Sequence, residues 1–505
     1  MGGGGGCVIE TISLEAYQKK VGDSVMSVDT DTNTYTFVSG TSHTIKCYNI
    51  EFAENDTLVI AEGANVILES PLTIEKETNG IDRITVNGSL TLKEGSAITF
   101  GSIISDAIEE RGVSGIVVNS LNGLVMEGGH ITIDTIKDGI NYEDKASVGI
   151  LINKDGSMIQ KDGSIKIKTM EKIAFGISAY QGGQFVQEGG LIKINTMTTE
   201  IDETNSVGGV AAYQGGTIIQ RQGKIHGVNV RGYYTRLVSL GSDGSFDGSS
   251  FVQEKDGLIQ MDNVENATGV NVNRSGTFTQ NGGQITISNV TDAGGYAAGV
   301  GIYNDSAIFN QNEGQITISN VTSAGGSNAI GVEVFSSATF NQNGGEIIIK
   351  NVIGNDADEM YGVILYSNST FTQTKGSLKL QNISAVKPLD YGLVGLGIFS
   401  GSTFDQDEEG SIEISDVGDN TFGVDVTSTF NVKNLTVSGA EETDNSVGFV
   451  STNPGGVVNS GVVRVYGTAI KYSTDGNNET DPSPPDNNNP NFTVIDEGKY
   501  YDTAI

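Results

Sequence analysis

The chain has 505 residues, of which 62 are acidic and 29 basic, giving a formal net charge of −33. Such a surface repels nucleic acid and anionic membranes, so divalent cations and basic partners are the expected ligands, and direct membrane insertion is not expected. Glycine is frequent at 69 residues and tryptophan is absent, a composition that favours short strands and tight turns over helices.

The first 40 residues lack the repeat that follows them. Residues 1–7, an oligoglycine run that ends in Cys7, are interpreted as an artificial leader, with a lipoprotein junction as the alternative. Residues 8–40 predict a cap over the open end of a repeat domain, with a turn or two of helix at Leu14–Lys20. Cys7 and Cys47 are the only cysteines, so the sequence supports neither a disulfide framework nor a cysteine metal site.

Residues 41–470 repeat one unit, which Gly269–Val290 shows clearly. It consists of an apolar-alternating run, a Phe-x-Gln run and a Gly-x-Ile-x-Ile run. Alternation with period two predicts three short strands per unit, and copies that bury their faces against each other predict one elongated domain. Leu58–Val66 and Leu90–Ile98 are interpreted as the same part of two early units.

Three columns of residues recur at fixed positions in the units. An apolar column is expected inside, occupied by Leu124, Met158, Phe185, Ile218, Phe251, Phe278, Phe309, Phe340, Phe371, Phe404, Phe430 and Val457. Glutamines two residues later share its face and are expected to stack their amides as a ladder: Gln160, Gln187, Gln220, Gln253, Gln280, Gln311, Gln342, Gln373 and Gln406. A column of Thr, Asn and Asp at the end of the third strand predicts a second ladder at a corner.

Residues 471–505 form a separate segment. Residues 475–490 hold four of the seven prolines among Asn and Asp, a composition typical of a linker. Residues 491–505 are interpreted as the start of a further domain or anchor.

The periodicity predicts an all-β fold, a single-stranded right-handed parallel β-helix, or β-solenoid, of about 13–14 coils of 27–33 residues. The coils resemble the pectate-lyase-like β-helix and the passenger domains of autotransporter adhesins. Phe278–Asn281 followed by Gly282–Ile285 is also similar to the FxxN and GGxI repeats of polymorphic membrane proteins. The resemblance implies an exported virulence protein displayed on a bacterial cell surface, with its signal and anchor outside this sequence.

An outward column of aromatic residues is the first candidate binding site. It lies four residues after the glycine that opens each first strand and comprises Tyr180, Tyr213, Tyr303, Phe335, Tyr366 and Phe399. The last four stand on consecutive coils, so their rings are expected about 4.8 Å apart. Such faces stack on sugar rings or anchor a protein partner. The alternative is a self-stacked ladder that stiffens the corner.

A second candidate is an outward apolar stripe between the Phe and Gln columns. Its members are Val125, Ile159, Val186, Ile219 and Val252. The stripe is interpreted as a contact for a partner or a second copy of the chain. The alternative is that β-branched residues simply suit strands.

Acidic residues gather in the variable connections after the third strands, as at Asp356, Asp358 and Glu359. Oxygen ligands of this kind suit Ca²⁺, and a solvated acidic rim is the alternative. No other cofactor is expected.

No catalytic constellation accompanies the repeats. Among the three histidines, His130 and His226 lie three coils apart, roughly 14 Å at strand spacing. The sequence therefore predicts a non-enzymatic extracellular adhesin or cell-surface display protein that binds a receptor or glycan on a host or neighbouring cell. The alternatives are a carbohydrate-active enzyme, either a polysaccharide lyase or a hydrolase, and a phage-type tailspike or self-assembling surface fibre subunit.

Overall fold

A computed structural model describes most of the chain. The described ranges are 8–75, 81–105, 112–138, 146–199, 206–241, 248–323, 328–354, 359–385, 393–418, 421–439, 447–451, 458–466, 469–472 and 493–496. The oligoglycine leader, residues 1–7, and most of the linker and tail, residues 471–505, lie outside them.

Parallel strands stacked as a β-solenoid make up nearly all of the described chain, which confirms the predicted fold class. The first sheet takes one strand from each coil: Met26–Asp29, Thr34–Phe37, Thr57–Ile60, Ile84–Val86, Val113–Val118, Ser147–Ile152, Ala174–Tyr180, Val207–Tyr213, Thr235–Leu240, Thr268–Asn273, Ala297–Tyr303, Ala329–Phe335, Met360–Tyr366, Leu393–Ile398, Thr421–Val426, Val447–Ser451 and Ala469–Tyr472. Its first two strands form an antiparallel hairpin, and the later pairings are parallel.

The second sheet contains the remaining strands: Glu10–Ser13, Ser42–Ile45, Tyr48–Glu51, Asn65–Leu68, Pro71–Ile74, Ser89–Leu92, Ala97–Ser105, Leu124–Met126, His130–Asp138, Ser157–Gln160, Ser164–Glu171, Gln184–Gln187, Leu191–Thr198, Thr217–Arg231, Ser250–Glu265, Thr277–Asp292, Ile308–Ser323, Thr339–Gln342, Glu346–Gly354, Thr370–Ala385, Thr403–Val417, Thr429–Gly439, Val458–Tyr466 and Thr493–Asp496. In several coils the predicted second and third strands are one continuous strand. Thr277–Asp292 is an example, and its pairing register shifts between Gln280 and Gln284, at the bend.

The predicted apolar column is a register of directly paired residues. It runs through His43, Val66, Leu90, Leu124, Met158, Phe185, Ile218, Phe251, Phe278, Phe309, Phe340, Phe371, Phe404, Phe430 and Val458. Fourteen pairings join these fifteen residues, slightly more coils than the sequence predicted. Val458, and not the predicted Val457, occupies the last position.

The interpretation of the early coils was wrong. Leu58 lies in the first sheet and pairs with Ile84, whereas Leu90 lies in the second sheet and pairs with Val66. Both segments contain a Glu-Gly turn with glycine in the left-handed region, so the same turn chemistry occurs at two different corners. Coil lengths here, 66 − 43 = 23 and 124 − 90 = 34 residues, also fall outside the predicted 27–33.

Most side chains inside the solenoid are aliphatic or aromatic. From Phe251 to Phe404 successive phenyl rings lie 4.6–4.8 Å apart, with planes within 11° of parallel. The glycine that opens each first strand also faces inward. A Cβ on Gly299 would lie 2.8 Å from the carbonyl oxygen of Gly331 and 2.9 Å from Ile318 Cδ1, so only glycine fits.

The glutamine column is a buried ladder in two runs, Gln160 to Gln280 and Gln311 to Gln406. Each side-chain amide donates to the preceding amide oxygen over 2.8–3.3 Å. The same nitrogen bonds a backbone carbonyl of the next coil, as Gln373 does with Ser411 at 3.1 Å. No such bond joins Gln311 to Gln280, whose side-chain oxygen has no partner in the described part of the chain. The ladder therefore ties each bend to its neighbours.

The asparagine column is also a ladder, but it lies on the outer surface. Amide-to-amide bonds of 2.9–3.1 Å connect Asn229 to Asn382 through consecutive coils. Asn263, Asn289 and Asn320 have φ between 56° and 68°, a backbone region that asparagine tolerates. The column therefore turns the chain at a corner and leaves its side chains half-exposed or exposed.

The N-terminal segment contains the predicted helix, Leu14–Val21, which follows the strand Glu10–Ser13 and is capped by the Ser13 hydroxyl. Leu14 and Tyr17 of this helix join the hydrophobic core. Cys47 is disulfide-bonded, which the cysteine count did not lead us to expect.

Candidate functional site

The candidate site is the outer face of the first sheet, where alternate residues of each strand point away from the core. The register confirms that the aromatic residues stand in one column: Tyr180 pairs with Tyr213, Tyr303 with Phe335, and Phe335 with Tyr366. Asn273 precedes Tyr303 in the column and accepts a hydrogen bond of 2.6 Å from Asn304. Asn273 therefore interrupts the aromatic column before Tyr303.

The four consecutive rings do not form one continuous stack. Phe335 and Tyr366 stack with centroids 5.8 Å apart and planes within 3°. The Tyr303 ring instead lies over Gly301, where an added Cβ would come within 2.1 Å of the tyrosine hydroxyl. Phe399 likewise lies over Gly397. Both rings fold onto the sheet because a glycine leaves room two residues earlier in their own strand.

The N-terminal members of the column are also engaged. The Tyr213 ring packs edge-on against Phe175 at 5.3 Å, and its hydroxyl donates to Ser239 Oγ over 3.0 Å. Tyr180 is half-buried. These contacts hold Tyr213 against the sheet.

A small apolar cluster covers part of this outer face. Its buried members are Ala298, Ile330, Tyr361, Ile364 and Val394, against which Tyr296, Phe399 and Phe422 pack. The Phe399 ring meets Tyr361 edge-on at 5.9 Å. The cluster shields this part of the outer face from solvent. Tyr366 is not part of the cluster, and 42% of its surface is exposed.

Among the acidic residues of this face, Glu333 has the largest pKa shift, and the sequence did not predict it. It occupies the outward position next to Gly301 on the neighbouring coil. The Tyr296 hydroxyl hydrogen-bonds both the Glu333 carboxyl group and the Tyr303 hydroxyl, the latter at 2.6 Å. Burial raises the pKa of Glu333 to about 8 and also raises that of Tyr303. The pKa of Glu333 therefore lies far above the ordinary value for a glutamate.

Asp425 is the second perturbed carboxyl group, farther along the same outward column. Burial raises its pKa to about 6, and its Oδ1 has no hydrogen-bond partner within the described residues. Register places it three coils from Glu333, through Ile364 and Gly397, or roughly 14 Å at strand spacing. That separation exceeds the roughly 5–9.5 Å between the two carboxylates of a glycoside hydrolase.

Glu333→Gln is expected to flatten the pH dependence of stability between pH 6.5 and 8. The folded state holds the Glu333 proton up to about pH 8, whereas the unfolded state releases it near the ordinary pKa of 4.5. Stability therefore falls as pH rises between these values, by up to about 1.4 kcal/mol per pH unit, and levels off above pH 8. Denaturant midpoints at half-unit pH steps measure this slope. Equal slopes in both proteins would show that Glu333 titrates normally.

The apolar stripe lies on the second sheet, and its five residues are direct neighbours in register. All are half-buried or buried, Val186 at 6% exposure. Beside it runs a column of alternating charge, made of Lys93, Glu127, Lys161, Glu188, Arg221 and Glu254. Ion pairs such as Arg221–Glu188, at 2.7 Å, connect neighbours in this column. The role of the apolar stripe as an interaction surface stays a prediction.

Of the predicted Ca²⁺ ligands, Asp356 and Asp358 lie outside the described residues. Glu359 accepts a long hydrogen bond of 3.4 Å from the Tyr361 hydroxyl. Within the described ranges no three His, Cys, Asp or Glu side chains are grouped to hold a metal ion. Calcium binding stays a prediction.

Two further findings bear on identity. Among the described helices, none has the length and apolar character needed to cross a membrane. No protein-family model, curated protein or solved structure matches the chain.

Proposed function

We propose that the protein is a non-enzymatic extracellular adhesin or cell-surface display protein that binds a receptor or glycan on a host or neighbouring cell. The observation that carries this proposal is the stacked pair Phe335–Tyr366 on the outer face of a rigid solenoid. Tyr366 is 42% exposed, and aromatic faces of this kind stack on sugar rings or anchor protein partners. A bacterial cell-surface location is part of the proposal.

The use of polar residues inside the repeats supports a binding role over a catalytic one. The glutamines are fully or almost fully buried and bond each other, while the asparagines bond along a corner. These side chains hold the scaffold together and are not free for chemistry. What remains for function is the outer surface, where Phe335 and Tyr366 lie.

Replacing Phe335 and Tyr366 with serine is expected to abolish binding to cells or to a glycan array. The rings of this pair supply the contact surface, and their mutual stacking contributes only about 0.5–1.5 kcal/mol to stability. The folded solenoid should therefore persist, which circular dichroism and the melting temperature check.

The matched control is the double replacement of Tyr303 and Phe399 with serine. These two rings belong to the same column but lie over Gly301 and Gly397. We expect this variant to lose stability while it keeps binding. Unchanged binding by the Phe335 and Tyr366 variant, with a lower melting temperature, would make the pair structural and the proposed site wrong.

A carbohydrate-active enzyme is the second candidate, and Glu333 favours it. A carboxyl group that keeps its proton at neutral pH is suited to general acid catalysis. Incubation with a panel of acidic and neutral polysaccharides tests this candidate. Release of reducing ends or unsaturated sugars by the native protein, and not by Glu333→Gln, would replace the adhesin proposal with an enzyme.

A further inference from the structure

A cluster of lysines lies on the outer face of the second sheet, on two neighbouring third strands. In Ser164–Glu171 and Leu191–Thr198 the isoleucines face the core and are buried. By alternation Lys166, Lys168 and Lys193 point outward. These three residues, with Lys224 on the next coil, form what we call the lysine cluster.

Register brings the lysines of the cluster close together. Lys166 pairs directly with Lys193, which in turn pairs with His226. Neighbouring strands lie about 4.8 Å apart, and like charges directly opposite each other destabilise a sheet. Lys168 lies two residues from Lys166, roughly 7 Å along the strand. Repulsion between these lysines therefore lowers the stability of the folded protein when no ligand is bound.

Carboxylates compensate these charges only in part, since Asp262 attracts Lys224. None of the ion pairs in the described part of the chain includes a lysine of the cluster. Asp134 stands opposite Lys168 on the neighbouring strand but forms no ion pair with it. Asp262 is hydrogen-bonded to His226 at 2.7 Å and to Gln260 at 2.9 Å. In contrast, Lys161 on the adjacent face does pair with a glutamate.

Local charge here is opposite to that of the whole chain. The protein carries 62 acidic and 29 basic residues, so an unpaired group of positive charges is unexpected on its surface. Lys166 and Lys193 lie directly opposite each other, and neither forms an ion pair within the described residues. Their mutual repulsion is relieved when an anion binds. No Phe, Tyr or Trp is among the outward neighbours on these strands, so a ligand here would be recognised mainly by its charge.

We propose that the lysine cluster binds a linear anionic polysaccharide, with sulfate or carboxylate groups, laid across the coils. Lys166 and the His226 position are two strand spacings apart, roughly 10 Å, so the polymer crosses at least three coils. Duplex nucleic acid is disfavoured because it carries one charge per about 1.7 Å, and the surrounding acidic surface repels so dense a polyanion. This site goes beyond the proposed function, since it lies on the second sheet and does not include Tyr366.

The test measures retention on dextran sulfate, with neutral dextran as the blank, for the native protein and for K166Q/K168Q/K193Q. The native protein should bind dextran sulfate at about 0.15 M salt. The triple variant should bind roughly tenfold or more weakly, with a salt dependence reduced by about two to three counterions. Its melting temperature should equal or exceed the native value, because like-charge repulsion is removed.

The control is K255Q/K350Q/K433Q, which removes the same charge from three separate exposed lysines. This variant should bind dextran sulfate as the native protein does. Equal weakening in both triple variants, or no native binding, would overturn the proposal. Duplex DNA binding as tight as dextran sulfate would also overturn it, in favour of a nucleic acid. Loss of thermal stability in K166Q/K168Q/K193Q without loss of binding would make the lysines structural.

Discussion

Gln373→Ala is expected to lower the free energy of unfolding by about 3 kcal/mol. The Gln373 amide donates to Gln342 Oε1 at 2.8 Å and to the Ser411 carbonyl oxygen at 3.1 Å, and it accepts from Gln406 at 2.8 Å. Alanine would remove all three bonds and add a cavity, although Gln406 Nε2 would keep its bond to the Asn434 carbonyl oxygen. Equilibrium denaturation measures the loss, and hydrogen exchange at neighbouring coils locates it, because solenoid repeats interact mainly with their neighbours.

Two controls separate the ladder from general effects of removing glutamine. Gln381 lies on the same coil but points outward, so Gln381→Ala should change stability by no more than about 0.5 kcal/mol. Gln280 is buried in the same column, but its Oε1 has no partner within the described residues. Gln280→Ala should therefore cost less than Gln373→Ala. Equal losses at Gln280 and Gln373 would mean that the cavity, and not the hydrogen bonds, sets the effect.

Strand periodicity made the interior predictable. Phe278 and Gln280 share a face because strand side chains alternate, and their recurrence at nearly constant spacing fixes which residues stack. The same argument failed at Leu58 and Leu90, whose Glu-Gly turns look alike but lie at different corners. Local turn chemistry does not reveal which corner of a coil it serves.

The candidate sites were less predictable because they depend on contacts across strands. Alternation placed Tyr303 outward correctly, but whether its ring stands up or folds down depends on Gly301 two residues earlier. Glu333 is an ordinary outward acid in the sequence, and its raised pKa comes from burial, which depends on the side chains packed around it in the fold. Lys166 and Lys193 are each an ordinary outward residue of a strand in the sequence, and only the strand register shows that they lie directly opposite each other.

Phe340→Ala is expected to lower the free energy of unfolding by about 3–5 kcal/mol. The Phe340 ring is fully buried and stacks on Phe309 at 4.8 Å and on Phe371 at 4.6 Å. Alanine would remove both contacts and leave a cavity that the backbone cannot close, because the hydrogen-bonded coils above and below fix the spacing. Phe340→Leu keeps most of the volume and should cost roughly half as much. Thermal and denaturant unfolding measure both.

The matched control is Phe335→Ala, five residues earlier on the outer face of the same coil. Its ring stacks on Tyr366 but is only half-buried, so the loss should be about 1–2 kcal/mol. The two variants remove the same side chain from opposite sides of the solenoid wall. A loss at Phe335 as large as at Phe340 would mean that the outer aromatic residues support the fold as strongly as the inner stack. In that case Phe335 and Tyr366 would be part of the scaffold's own packing, and the binding proposal for this face would lose its main support.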